Sequence, residues 1–277
     1  MKTIAEILGV SRSNLYETPK GRSPYQKAED AILIPLIRAI CDQRPTYGYR
    51  RISALLNRGR AERGEPKVNH KRVYRIMKQE HLLLCRYSGK PVRSHTGTIM
   101  TEQSNQRWCS DTFEIVCWSG ELVRVAFSLD TCDREAISHL GTTAGISGEM
   151  IEDLIADSVA SRFGLVDHLP HPIEWLTDNG PPYTATETRR FAAALGLIVC
   201  TTPVRSPESN GMAEAFVKTF KRDYVHVSRL DNAAVVLEQL PRWFEDYNTH
   251  HPHKGLKMMS PREYKRFLTS PSLCPVQ

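Results

Sequence analysis

Near residue 106 the chain changes its hydrophobic period. Before that point apolar residues recur at the three- and four-residue spacing of a helix buried on one side, and after it they alternate or run in short blocks, as strands do. Such a chain is neither a long helical array nor an all-β sandwich. Its 277 residues leave room for a small helical unit beside a larger mixed one. Charge divides at the same place: residues 1–105 carry 20 Lys and Arg against 9 Asp and Glu, residues 106–277 carry 17 against 22, and a front of +11 thus joins a back of −5 within a total of +6. The division outlines a polyanion-binding module joined to one that carries chemistry; a merely solvated basic surface is the alternative.

Composition removes several other classes. With 40% hydrophobic and 25% charged residues the chain is globular rather than disordered or collagenous. No run approaches the roughly 18 to 20 apolar residues of a membrane helix, and MKTIAEILGVSRSNLYE turns to charge too early for a secretory signal, so a soluble, cytoplasmic protein is expected. The seven cysteines are odd in number, scattered and without a C-x2-C pair, which suits reduced thiols rather than disulfides or structural zinc.

At the N-terminus, Ile4, Ile7 and Leu8 at helical spacing, Gly9 as a helix stop and Ser11 as a cap outline a helix-turn-helix over 1–24; an ordinary helical hairpin is the alternative. Leu33, Leu36, Ile37 and Ile40 form the next stripe, in which Pro35 is expected to kink the helix or mark its first turn. Ile52, Leu55 and Leu56 follow with Arg50 and Arg51 beside them. Asn69 then caps a helix that turns Val73, Ile76 and Met77 inward and Lys71, Arg72, Arg75 and Lys78 mainly outward. The region 25–87 therefore reads as a basic helical DNA-binding domain, and polar 88–106 as a linker.

In the back half, Trp108–Cys117, Leu122–Asp130 and Ala136–Thr142 predict an antiparallel meander, followed by a helix over 148–163, a strand over 173–177, a helix over 186–195, a strand over 197–201, and helices over 210–224 and 233–248. Three strands followed by alternating helices and strands is the order of a ribonuclease-H-like α/β domain with a mixed sheet, expected over 107–268, with 269–277 as a tail.

Three carboxylates stand out in that order. Asp111 interrupts the first strand, where an acid is disfavoured and, if inward, costly without a partner or a metal. Asp178 ends the strand of WLTDNG, although Asp-Asn-Gly is also an ordinary turn signal. Glu214 opens a helix on which Lys218 and Lys221 return to nearly the same face; the helix dipole and an i,i+4 salt bridge are the bland explanations. Together, three acids on a first strand, a later strand end and a following helix match what a two-metal phosphoryl-transfer site requires.

The wording around these residues adds a resemblance. Asp111, Asp178 and Glu214, with 35 residues between the last two, resemble a DDE triad. TYGYRRI, HKRVYRIM, NQRWCSDTF, EWLTDNG, RSPESNGMAEAFVKTFKRDY, YNTHHPHKGL and SPREY resemble segments of the OrfB-type DDE transposases of bacterial insertion sequences, which have a retroviral-integrase-like core, and the similarity runs from about residue 30 to 268. The resemblance implies metal-dependent DNA strand cleavage and strand transfer, with Asp111, Asp178 and Glu214 as catalytic acids binding two Mg²⁺ or Mn²⁺ ions. It implies DNA contacts by Lys221, Arg50, Arg51, Lys71, Arg72 and Arg75, to which the helix stripe shared with Glu214 adds Lys218, and it implies DNA ends and target as partners, a homo-oligomer in the synapse, and an upstream OrfA or OrfA fusion.

Two readings compete: a catalytically silent DNA-binding regulator derived from a transposase, and a ribonuclease-H-like nuclease that only hydrolyses. Glu114, Asp130 and Asp133 are spare acids that a shift of register would bring into the site. His250, His251 and His253 invite a zinc reading, against which stand the interrupting Pro252 and the lack of a second ligand group. Trp108 and Trp175 are expected in the core, with base stacking as the alternative, and Cys109 on the sheet face of Asp111.

Overall fold

Alternation in RWCSDTFEIV sends Cys109, Phe113 and Ile115 to one side of a strand and Trp108 and Ser110 to the other, and all five are buried. This strand, β1 (Arg107–Val116), is the centre of a five-stranded sheet in the computed structural model, which describes residues 29–85, 101–201 and 211–269. The helix-turn-helix expected over 1–24, most of the expected linker and nearly all of the tail lie outside the described residues. β1 pairs antiparallel with β2 (Leu122–Asp130), and β2 with β3 (Ala136–Thr142), while β4 (Ile173–Thr177) and β5 (Leu197–Thr201) run parallel to β1. The order β3-β2-β1-β4-β5 is a mixed sheet, as the sequence predicts.

Both faces of the sheet are covered. Trp108, Ile173 and Trp175 pack with Ile151, Leu154 and Ile155 of α4 (Gly148–Phe163) and Ala192 of α6 (Thr186–Ala194), so both tryptophans are core residues. Between β4 and α6 the proline pair of PPYT forms one short helical turn, α5 (Pro181–Thr184), which periodicity does not reveal. The opposite face holds Cys109, Phe113, Val125 and Phe127 against Phe216 and Phe220 of α7 (Gly211–Asp223) and Phe244 of α8 (Ala233–Thr249). Aromatic centroids 4.4 Å apart for Phe127–Phe216 and 5.7 Å for Phe113–Phe220 pin α7 directly over β1 and β2. A last helix, α9 (Pro261–Thr269), closes the chain around SPREY.

In front of the sheet, α1 (Asp30–Gln43), α2 (Tyr49–Glu62) and α3 (His70–Gln79) bury Leu33, Ile37, Ile52, Leu56, Val73 and Ile76 in a separate core. Asn69 caps α3 by accepting from the Lys71 N–H at 2.8 Å, as its sequence position predicts. Pro35 lies inside α1 rather than in its first turn, because Leu33 and Ile37 on either side are buried and their burial offsets the roughly 3 kcal/mol that an internal proline costs. Asn57 clamps the α2–α3 connection, exchanging two hydrogen bonds with Val68 at 2.8 and 3.0 Å.

Ionic and polar contacts dock this helical unit on the sheet domain. Arg44 forks onto Asp246 at 2.6 and 2.8 Å, Arg51 reaches Asp223 at 2.9 Å, and Tyr47 shares a 2.8 Å hydrogen bond with Nδ1 of His251. Arg58 donates to the carbonyls of His250 and Met258 at 2.6 and 3.1 Å. His251 and His253 are buried in this seam, and desolvation holds both well below the usual histidine range, so they sit there as neutral rings. The histidine run is therefore part of the docking seam, and no group of three His, Cys, Asp or Glu among the described residues is gathered closely enough to hold a metal.

A second polar knot ties β2, β3 and α4 together. Arg162, 1% exposed, meets Asp133 at 3.0 Å, Glu135 at 3.3 Å and Asp130 at 3.9 Å, and Glu135 also accepts from Arg262 and Lys265. Burial and the neighbouring Asp133 push Asp130 up to about 6 even against the pull of Arg162. Replacing one partner of such a knot strands the others without solvent. Arg162→Ala is expected to lower unfolding stability by about 3–5 kcal/mol in urea titrations, and Arg162→Met by no less than half of that, because the carboxylates stay unpaired in both.

Candidate active site

The two aspartates come from neighbouring parallel strands. Arg107, Trp108 and Cys109 of β1 pair with Glu174, Trp175 and Leu176 of β4, and Asp178 follows directly on the end of β4 at Thr177. Asp111 alternates with Thr112 and so shares its sheet face with Cys109 and Phe113, the side that α7 covers. Asp178 stands in the turn that follows β4.

Local backbone groups hold each one. Asp111 Oδ1 accepts from the Thr112 N–H at 2.7 Å, and Asp178 Oδ1 accepts from the Gly180 N–H at 3.0 Å. The turn signal in Asp-Asn-Gly is therefore real, and it orients the carboxylate rather than competing with a role for it. At Gly180 an added Cβ would stand only 3.0 Å from Asp178 Oδ1, so any larger residue there would press on the carboxylate. Behind the pair, Ser110 Oγ donates to the Phe127 carbonyl at 2.7 Å and lies 2.9 Å from the Tyr183 hydroxyl. Tyr183 stacks edge-on against Trp175 and is 1% exposed, so it ties α5, and with it the Asp178 loop, to β1. Sequence reasoning overlooked Ser110 and Tyr183; the only signal was PPY following the DNG turn.

Glu214 arrives from α7. Ala213, Phe216 and Phe220 form the buried stripe of this helix, and Glu214, one residue beyond Ala213, is turned to its exposed flank. Lys218 is exposed further along, and the Lys221 ammonium stands 5.7 Å from the Phe113 ring centroid, over the residue two positions beyond Asp111. The three acids lie within one electrostatic field: burial above all pushes Asp111 up to about 6, the Thr112 N–H opposes this, and the charges of Asp178 and Glu214 add to the rise. Glu114 is instead exposed and paired with Arg124 at 3.1 Å, while Asp130 and Asp133 belong to the Arg162 knot. Beside Asp178 a cavity of about 250 Å³ opens between Thr112, Arg124 and Pro182.

The basic residues of the helical unit divide. Arg50 is exposed on α2 with its guanidinium 5.3 Å from the Tyr49 ring centroid, and Lys71 is exposed on α3. Arg72 and Arg75 both fork onto the buried Asp30 at 2.7 Å, and Arg51 is held by Asp223 in the seam.

Similarity to known proteins follows this architecture. Residues 27–91 match a family model described as an HTH-like domain, and residues 101–207 and 198–261 match two models described as an integrase core domain. Over 272 residues the chain is 46% identical to the transposase InsD for insertion element IS2A/D/F/H/I/K of Escherichia coli, covering 95% of this chain and 90% of that protein. The transposase InsD for insertion element IS2-9 of Escherichia coli strain K12 is likewise 46% identical over 272 residues, with 95% and 88% covered. The chain belongs to the insertion-element transposases with an integrase core. A chain of the simian T-cell lymphotropic virus intasome aligns at 18% identity and a TM-score of 0.49 over 87% of this chain and 77% of its own; family membership rests on the sequence relatives. The protein is accordingly a transposase, a DNA-binding polynucleotidyl transferase that carries an HTH-like domain and an integrase core. No described helix is long and apolar enough to cross a membrane.

The raised Asp111 gives the transposase a measurable signature. Its folded-state value of about 6 exceeds the ordinary 3.8, so the unfolded chain ionises first, and the cost to folding is complete above about pH 6 and vanishes below the ordinary value. In metal-free buffer at pH 7–8, Asp111→Asn is expected to unfold at higher urea than the parent by about 1–2 kcal/mol, allowing for partial exposure, with the difference closing near pH 4. Equal stabilities across that range would remove Asp111 from a strained acidic cluster.

Proposed function

We propose that this transposase cuts and joins DNA phosphodiesters at a centre formed by Asp111, Asp178 and Glu214, which would draw in around two Mg²⁺ or Mn²⁺ ions; as folded, no three acids among the described residues are gathered closely enough to hold one. The observation that carries this reading is that Asp111 on β1 feels the charges of both Asp178, at the end of the neighbouring β4, and Glu214, on the helix packed over that sheet face. A carboxylate pushed up by burial and by two like charges favours a nearby cation, and a set of hard oxygen donors suits an ion that keeps waters and phosphate oxygens as its other ligands. Such ions, when bound, activate the attacking oxygen and stabilise the leaving one in an in-line displacement.

The chain's own residues have separable tasks. Thr112 and Gly180 N–H groups orient the two aspartates, and Tyr183 with Ser110 holds the loop that carries Asp178. Glu214 approaches from α7 and completes the acidic set. Lys221, set over Phe113, and Lys218 on the same helix are placed to meet phosphates beside the acids. The cavity next to Asp178, many times the roughly 30 Å³ of one water, has room for a phosphodiester. No protein nucleophile is required: water attacks during cleavage and a DNA 3′ hydroxyl during transfer. Arg50 and Lys71 are the best-placed cations of the helical unit for DNA backbone, whereas Arg51, Arg72 and Arg75 act through the carboxylates they hold. Transposon ends and a target are the DNA partners in this reading. A homo-oligomer brings two ends together, and an upstream OrfA portion is the protein partner.

The test is a strand-transfer assay on labelled DNA carrying the repeats that flank the gene, with Mg²⁺ or Mn²⁺. Asp178→Asn and Glu214→Gln should each reduce joined product by on the order of 10²–10³-fold or more while DNA affinity changes less than threefold. Product from either variant at the parent's rate would exclude that residue from the centre. Either divalent ion should also raise the parent's melting temperature in the absence of DNA, and Asp111→Asn should abolish that shift.

A further inference from the structure

Between α2 and the loop after His253 lies an open cleft of about 460 Å³ that belongs to both domains. One side is a stripe of α2: Arg50, Ala54, Asn57 and Ala61 recur at the spacing of a single helical face, away from the core positions Ile52 and Leu56. The two alanines leave the space that larger side chains would fill. Lys67 and His70 line the end of the cleft, and Lys257 and Met258 line the far side.

Two independent features mark this cleft as more than a seam. First, its charge is unbalanced. Glu263 is the single carboxylate in its lining, and it is already engaged by Arg58 at 2.6 Å and by the Ser260 N–H at 2.7 Å. Arg58 is itself spent on Glu263 and on two backbone carbonyls. Among the described residues, none of Arg50, Lys67 and Lys257 is paired with a carboxylate, and Arg50 and Lys67 come from one domain while Lys257 comes from the other.

Second, the loop that offers Lys257 is held in an unfavourable backbone. Lys257 and Met258 have φ of 55° and 66°, two consecutive side-chain-bearing residues in the left-handed region that ordinarily favours glycine. The conformation is fixed by the Met258 N–H donating to the His253 carbonyl at 2.8 Å, by the Met259 N–H donating to the Leu256 carbonyl at 2.9 Å, and by Arg58 on the Met258 carbonyl. Strain that the surroundings enforce at an exposed lysine is a pointer to function rather than to stability. The Lys257 ammonium stands 4.7 Å from the ring centroid of Phe267, which is itself half exposed, so the charge is positioned at the surface rather than buried.

We infer that this cleft seats the sugar-phosphate backbone of a DNA duplex, so that one duplex is gripped by the HTH-like unit and the integrase core of the same chain at once. The cations come from three separate segments, Arg50 from α2, Lys67 from the α2–α3 connection and Lys257 from the loop after His253, an arrangement that fits successive phosphates of a backbone. The inference rests on the DNA-binding reading of the transposase and adds to it a place, away from the acidic centre, where the two domains share the substrate.

The experiment is fluorescence anisotropy with the full chain and a labelled duplex of about 30 base pairs, repeated over a series of salt concentrations. Lys67→Ala and Lys257→Ala should each reduce the slope of log affinity against log salt by about 1, and the double variant by about 2, with affinity near 0.1 M salt falling on the order of 10–100-fold. Lys257→Gly separates binding from folding. It removes the charge and the strained side chain together, so it should weaken DNA binding as Lys257→Ala does while raising the melting temperature above that of the parent. A parent that binds DNA with salt dependence, beside variants of unchanged slope and affinity, would overturn the inference and leave the transposase reading intact. A parent with no salt-dependent DNA binding would instead overturn the DNA reading on which the inference stands.

Discussion

The packing of α7 on the sheet is the contact on which the other arrangements depend. Phe216 and Phe220 enter a cluster with Phe113, Phe127 and Phe244, and their rings fix both the height and the rotation of the helix over β1 and β2. Rotation matters because the functional side chains occupy the flank of that buried stripe. With Ala213, Phe216 and Phe220 inward, Glu214, Lys218 and Lys221 follow a line beside Asp111. Loss of one ring would let α7 turn, and the acidic set would lose a member without any change in the acids themselves.

The same helix links the site to the helical unit. Its last residue, Asp223, is buried at a helix C-terminus, where a negative charge is unfavourable, and Arg51 from α2 offsets that charge together with Arg222. Tyr47, two residues before α2, meets His251 in the same seam. The segment TYGYRRI thus divides its work: Tyr47 and Arg51 face the integrase core, and Arg50 faces the open cleft. A run of arginines that reads in sequence as a uniform DNA-binding surface is, in three dimensions, partly a mortar between domains.

Buried charge is arranged differently in the two regions of the sheet domain. In the Arg162 knot every acid has a cation within the fold, and the group acts as a joint between β2, β3 and the C-terminal helix. At Asp111 the charges that act among the described residues are the acids Asp178 and Glu214, opposed by the Thr112 N–H. One cluster is thus neutralised within the described fold and the other is not. Asp130 and Asp133, close to the first hairpin in sequence, belong to the neutralised one.

The sequence by itself determined the elements and the place of each of the three acids along them. Periodicity depends only on which side chains are apolar, and for this chain it places the five strands and the helices over 148–163, 186–195, 210–224 and 233–248 to within a residue or two, while the helix over 261–269 is not predicted. The strand position of Asp111, the strand end at Asp178 and the helix flank of Glu214 follow from the same pattern. Pro35 and the short turn at PPYT escaped it, the first because tertiary burial outweighs local propensity, the second because four residues carry no period. Only the tertiary structure decided which charges are free. Arg72 and Arg75 look outward on a helical wheel yet meet Asp30, more than 40 residues away, and Arg51 meets Asp223 across the domain seam. Partnership of that kind depends on distances between elements, which local pattern does not encode, and so the open cleft with its strained Lys257 becomes visible only when both domains are in place.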